Sequence, residues 1–169
     1  MEPSTHPEAQ PEPEAFRTHD HGACRGQAMA AVAAACAARR LRLTPARAFV
    51  LETLLESHRA LTAYELLERL AAAGHGSQPP VVYRALDFLL AHGFAHRIER
   101  LGAFVGCTHG GSAHAAAFLV CRLCRTVAET ELPNSLSGLA AEAAAGGFEV
   151  ESMVVEAEGL CARCRAANP

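Results

Sequence analysis

Apolar positions recur at helical spacing through roughly the first two thirds of the chain and gather into short runs in the last third. Residues 26–41, GQAMAAVAAACAARRL, are rich in Ala and predict a helix. In LRLTPARAFVLETLLESHRA, Phe49, Leu51, Leu54 and Leu55 give a rough helical stripe. Thr44 suits the N-cap of that helix and Pro45 its first residue. LTAYELLERLAAAGHG predicts the next helix, with a capping box at Thr62 and Glu65 and a stop at Gly74. In SQPPVVYRALDFLLAHGF, Val82, Leu86, Leu89 and Leu90 form one apolar face, and Tyr83, Arg84 and Asp87 fall off it. Pro80 pushes Pro79 toward extended geometry and itself suits the first helical turn, while Gly93 closes the helix. AHRIER and AFVGC then predict a short hairpin around Leu101-Gly102.

Several short helices followed by a hairpin is the order of a winged helix-turn-helix, whose last helix would offer its N-terminal residues to a DNA major groove. A boundary is expected at GCTHGGSA, residues 106–113. Beyond it, HAAAFLVC and TVAETEL predict strands, NSLSGLAAEAAAGG a helix ended by Gly146, and FEVESMVVEAEGLC a last strand. That order makes a small α+β domain. The predicted plan is a disordered tail at residues 1–23, a winged-helix DNA-binding domain at 24–106 and an α+β dimerisation and metal-binding domain at 107–169. Four prolines and the lack of an apolar period predict the disordered tail.

Composition sharpens this picture in two places. Half of the residues are hydrophobic but only 5% are aromatic, so the core is built from Ala, Leu and Val. Net charge is −3, yet every one of the 15 basic residues is Arg. Residues 24–106 hold ten Arg against six acids, and both flanks are acidic. A basic middle permits a DNA-binding half; a solvated arginine face is the plainer reading of charge alone. No run of 18 apolar residues predicts a membrane span, and no basic-then-apolar signal precedes the domains, so a cytoplasmic protein is expected. In that reducing compartment the seven cysteines are expected to be metal ligands or thiols rather than disulfides.

Two Cys-x-x-Cys motifs, Cys121/Cys124 and Cys161/Cys164, each follow a predicted strand. A turn after a strand can aim both sulfurs at one point, and two such turns supply the four thiolates of a closed structural zinc site. The alternatives are two unrelated pairs, or a redox dithiol whose oxidation ejects metal. A looser set is His96 on the first hairpin strand, Cys107 at the end of the second, His109 in the loop, His114 before the next strand, and Glu129. This mix of N, S and O donors suits zinc, but spacing alone does not oblige it to converge. Tyr64, Tyr83 and Arg84 are candidate DNA contacts, with half-buried packing as the other reading of the two tyrosines. His19, His21 and Cys24 form a further candidate metal group near the tail. Neither Cys-x-x-Cys follows a proline, as a zinc nucleobase deaminase would require, and four thiolates leave no open position for water. No enzymatic activity is expected.

Taken together, LRLTPARAFVL, LTAYELL, PPVVYRALDFLLAHGF and the double Cys-x-x-Cys resemble the ferric uptake regulator family over residues 26–165. YRALDFLLAHGFAHRIE and GLCARC resemble its zinc uptake regulator branch in particular. The resemblance implies a zinc-responsive homodimeric repressor that binds double-stranded operator DNA, with about two Zn2+ per chain. It implies Cys121, Cys124, Cys161 and Cys164 as structural zinc ligands, His96, Cys107, His114 and Glu129 as regulatory zinc ligands, and Tyr64 and Arg84 as DNA contacts. Ala116 and Phe118 stand where iron-type members carry histidines, which weighs against the alternative of an iron or manganese regulator. Val81 stands where the family often has Thr, removing a hydroxyl that could contact phosphate.

Overall fold

The computed structural model of the chain describes residues 12–18, 20–76, 78–108, 116–131, 137–151 and 153–167. Among them the order is α1 (His21–Ala38), α2 (Pro45–Leu55), β1 (Leu61–Thr62), α3 (Ala63–Ala72), α4 (Pro79–Ala91), β2 (Ala95–Ile98) and β3 (Ala103–Gly106). There follow β4 (Ala116–Cys121), β5 (Val127–Glu131), α5 (Ser137–Ala145), β6 (Val155–Gly159) and α6 (Ala162–Ala166). β1, β3 and β2 form an antiparallel sheet in that order, which with the helices before it makes the winged helix. The second sheet runs β5-β4-β6, with β4 antiparallel to β5 and parallel to β6. The fold is thus α+β, a winged helix-turn-helix followed by a strand-rich α+β half.

The helix starts follow from local chemistry. Thr44 caps α2 through Arg47 N–H, with Pro45 in its first turn. The Thr62–Glu65 capping box is reciprocal: Glu65 N–H donates to Thr62 Oγ1 at 3.2 Å, and Thr62 N–H donates to the Glu65 carboxylate at 2.7 Å. Three expectations shift by a few residues. α1 begins at His21 rather than at residue 26, because the Asp20 carboxylate accepts from Gly22 N–H and Ala23 N–H and caps it earlier. The tail expected through residue 23 is correspondingly shorter, and Glu14–Phe16 form a 3-10 turn that packs against β5. α4 starts at Pro79, with Gln78 as its N-cap, rather than at Pro80. α5 ends at Ala145, just before Gly146 as expected, and Gly147 follows in the left-handed region at φ 79°.

Two cores result. The larger joins α1–α4 through Val32, Val50, Leu51, Leu54, Leu66, Leu70, Leu86, Leu89 and Phe94. The smaller joins the two sheets: Ala60, Ile98, Ala103 and Val105 pack with Phe118, Val120 and Val127. The boundary predicted near residue 106 therefore separates two sheets but not two independent cores.

Gly106 sits where these cores meet. A Cβ there would lie 2.6 Å from Leu55 Cδ2 and 2.9 Å from its Cγ, and Leu55 is buried. Gly106→Ala will destabilise the chain by about 1–3 kcal/mol, the usual cost of overpacking a core. Urea unfolding measures it; an unchanged midpoint would show that Leu55 turns aside freely.

Candidate metal centres and nucleic-acid face

The cysteine motifs converge because β4 and β6 run in parallel. Cys121 pairs with Gly159 at the ends of those strands, so each strand delivers its Cys-x-x-Cys at the same edge. Arg122 N–H donates to Gly159 O at 3.0 Å and locks that edge. Arg125, with φ 59°, turns the first motif back. The four Sγ atoms lie within 4.8 Å of one another, with Cys124 and Cys161 Sγ 3.9 Å apart. Tetrahedral zinc with Zn–S near 2.3 Å implies a sulfur–sulfur edge of about 3.8 Å, so the four sulfurs fit that ion. The acid–base chemistry agrees. Burial opposes ionisation of Cys121, but N–H groups of Cys124, Cys161 and Leu123 outweigh it and bring the thiol down to about 6. Cys164 is pushed up to about 12, first by its hydrogen bond with Cys161 and then by burial. Four thiolates this close repel unless a cation lies among them.

The second cluster is smaller. His96 lies on β2, Cys107 just after β3, and Glu129 on β5. Register brings them together: His96 pairs with Val105 near the end of β3, and Glu129 pairs with Phe118 on β4. The Phe118 ring centroid is 5.1 Å from that of His96. Donor atoms of His96, Cys107 and Glu129 all lie within 4.8 Å of one another, and His96 Nε2 is 3.4 Å from Glu129 Oε1. Cys107 is fully buried, and its N–H donates to Phe94 O at 3.0 Å. Burial disfavours charge on His96, yet hydrogen bonds with Cys107 and Glu129 and the Glu129 charge raise it to about 9. The cluster draws positive charge to itself, as a cation site of mixed donors must. His114 and His109 lie outside the described residues.

The third candidate group does not assemble among the described residues. His19 lies outside them. The His21 ring stands 5.1 Å from His58, and Cys24 lines a cavity of about 240 Å³ with Glu14, His58 and Glu129. Neither residue joins a converging trio of donors among the described residues. The tyrosines are not packing residues: Tyr64 on α3 is 69% exposed and Tyr83 on α4 is 55% exposed. Arg84 is exposed beside Tyr83, in the N-terminal half of α4.

A seam between the halves had no signature in the sequence. Val127 N–H donates to His58 O at 2.8 Å, and Ala60 N–H donates to Arg125 O at 3.0 Å. The chain before β1 thereby joins the second sheet beside the first cysteine turn. Arg125 also lies 3.7 Å from Glu65, whose carboxyl is held below its usual range first by the Thr62 N–H bond and further by Arg125 and Arg59.

A winged helix joined to a thiol-rich α+β half, with a mixed donor cluster where they meet, is the plan of a metal-dependent DNA-binding regulator. No protein-family model matches the chain. Over 130 residues it is 40% identical to the zinc uptake regulation protein of Escherichia coli (strain K12), covering 76% of each chain. Its fold matches a solved zinc uptake regulator complexed with zinc and DNA, with TM-score 0.78, 36% identity, and 89% and 98% of the two chains covered. It matches holo XcZur with TM-score 0.74 at 45% identity, over 82% of this chain and 96% of that one. Against apo XcZur the TM-score is 0.50 at 41% identity, over 85% and 99%. The chain belongs to the ferric uptake regulator family, in its zinc uptake regulator branch. At nearly equal identity and coverage, its described shape is nearer the holo than the apo form of that relative. Among the described residues, no helix is long and apolar enough to cross a membrane.

Proposed function

We propose that this chain is a zinc-responsive transcriptional repressor, binding operator DNA as a homodimer when its regulatory site is filled and thereby controlling zinc uptake genes in the cytoplasm. The observation that carries the reading is the cluster of His96, Cys107 and Glu129, whose donors come from both halves of the fold. His114 is the proposed fourth donor. Cys121, Cys124, Cys161 and Cys164 are the proposed ligands of a second, structural zinc, making about two per chain. Tyr64, Tyr83 and Arg84 are the proposed DNA contacts; Arg can bond guanine O6 and N7 together. The names of the relatives support the choice of metal and of DNA. Four thiolates leave no place for an attacking water, so no catalytic role is proposed.

Zinc supplies a divalent charge that these neutral and anionic donors can share. His96 and Cys107 belong to the hairpin of the winged helix, Glu129 to the second sheet. Held to one centre, they favour one orientation of the DNA-binding half. Two recognition helices of a dimer must match two half-sites, so orientation controls affinity. The filled site needs only to favour the DNA-ready state, and DNA must then raise zinc affinity by the same factor.

The test is zinc content before and after mild chelation, alongside fluorescence anisotropy on promoter DNA of zinc uptake genes at buffered zinc. We expect about two zincs per chain to fall to one, with DNA binding lost and then restored by zinc. One zinc that never leaves, or restoration by iron or manganese alone, would overturn the reading.

A further inference from the structure

We infer that Glu156 is a positioning residue that pins the tip of the wing to the second sheet, adding a directional polar attachment to the apolar core and the seam that already join the halves. The inference rests on the regulator reading above. Glu156 lies on β6, opposite Phe118 of β4. Its carboxylate accepts from Glu99 N–H at 2.7 Å and from Arg100 N–H at 3.1 Å. Those residues open the 3-10 turn Glu99–Leu101 that joins β2 to β3. The first N–H groups of a helical turn have no partner within it, and a carboxylate that takes two of them makes charge-assisted bonds. Two residues further along β6, on the same face, Glu158 receives the Arg100 guanidinium, with contacts of 3.4 and 3.5 Å.

The geometry matters because of where the two attachments fall. His96 and Cys107 lie at the base of the hairpin, and the turn held by Glu156 is its tip. Arg97 and Ile98 separate His96 from Glu99, a span of about 10 Å at about 3.3 Å per residue. Ile98, Ala103 and Val105 already pack the hairpin onto the second sheet, but apolar packing is non-directional. The two Glu156 bonds fix where the tip sits on that surface, and α4, which leads directly into β2, takes its orientation from the hairpin. Arg100 lies against Glu158 with its side chain still 55% exposed, so this contact adds to the pin without burying the guanidinium.

The test sets two effects of opposite sign against each other. Removing an acid strengthens attraction to DNA by electrostatics alone. Loss of the pin weakens binding. We would measure DNA affinity at saturating zinc for the wild type, Glu156→Ala, Glu156→Gln and, as a charge control on the exposed face of α5, Glu142→Ala. Amide exchange at Glu99 and Arg100 reads the pin directly, with or without DNA. Expected for Glu156→Ala are faster exchange at both amides, unchanged zinc content, and DNA affinity lowered about tenfold, within the roughly 5- to 150-fold range of couplings between sites. Glu156→Gln, which keeps an acceptor and the side-chain shape, falls between it and the wild type. Glu142→Ala is unchanged or slightly tighter. Unchanged exchange, or faster exchange with DNA affinity equal to or tighter than that of the wild type, would overturn the inference. Failure of the wild type to bind DNA with zinc would instead overturn the regulator reading.

Discussion

Cys121→Ser will cost the chain its folded second half, and with it the dimer. Cys121 is 1% exposed at the end of the central strand β4, and its sulfur accepts from Cys161 N–H at 3.5 Å. Beyond the core it shares with the wing, the second half has little else to hold it. Its sheet has three strands, and the exposed large side chains Leu123, Leu139, Phe148 and Val154 all belong to it. Structural zinc contributes about 10–16 kcal/mol in small zinc domains, as much as the whole stability of an ordinary domain. A hydroxyl in place of one thiolate removes a ligand that zinc prefers. The expected readout is a chain lacking one zinc, with lost strand circular dichroism and monomeric or aggregated elution in gel filtration. A folded, dimeric Cys121→Ser protein with full zinc content would remove the structural role from the four cysteines.

Cys107→Ser will do something different: zinc-dependent DNA binding disappears while the fold and the dimer remain. Serine nearly matches cysteine in size, and the Cys107 backbone bond to Phe94 O is unaffected. What is lost is the sulfur of the mixed cluster. Moving a two-state equilibrium from 1:99 to 99:1 takes about 10⁴-fold preferential binding, near 5.5 kcal/mol. A site stripped of one of its few donors cannot supply that. DNA affinity at saturating zinc should fall to that of the chelated wild type, with one zinc retained per chain and an unfolding midpoint near that of the chelated wild type. If Cys107→Ser and Cys121→Ser behaved alike, the assignment of two separate zinc sites would fail.

These two cysteines show how far sequence reasoning reaches. Cys121 and Cys124 are legible because Cys-x-x-Cys is a local signal, and the strand before it is an apolar run that ends at the motif. That both motifs follow strands was also legible; that the strands run in parallel, side by side, was not. Cys107 was legible as one donor of a looser set, but spacing alone did not oblige that set to converge. Its partners His96 and Glu129 are brought to it by two separate registers, one in each sheet. A slip of one residue in either would turn a donor to the opposite face.

The helices of the winged half and their order are written in local signals of the chain. Asp20, Thr44 and Thr62 cap helices within a few residues of themselves, so a reader of the chain has every partner in view. Asp20 alone lies in a stretch whose prolines mask the start of a helix. Tertiary structure alone decided how the halves meet: the shared core of Ile98, Val105, Phe118 and Val127, the seam at His58–Ala60, and the Glu156 contact with the wing. Those contacts join residues tens of positions apart, and an exposed-looking glutamate on an edge strand carries no mark of the amides it will meet. Capping and periodicity act over one or two turns of chain. The relative placement of two sheets is set by packing and register, which no short window of sequence contains.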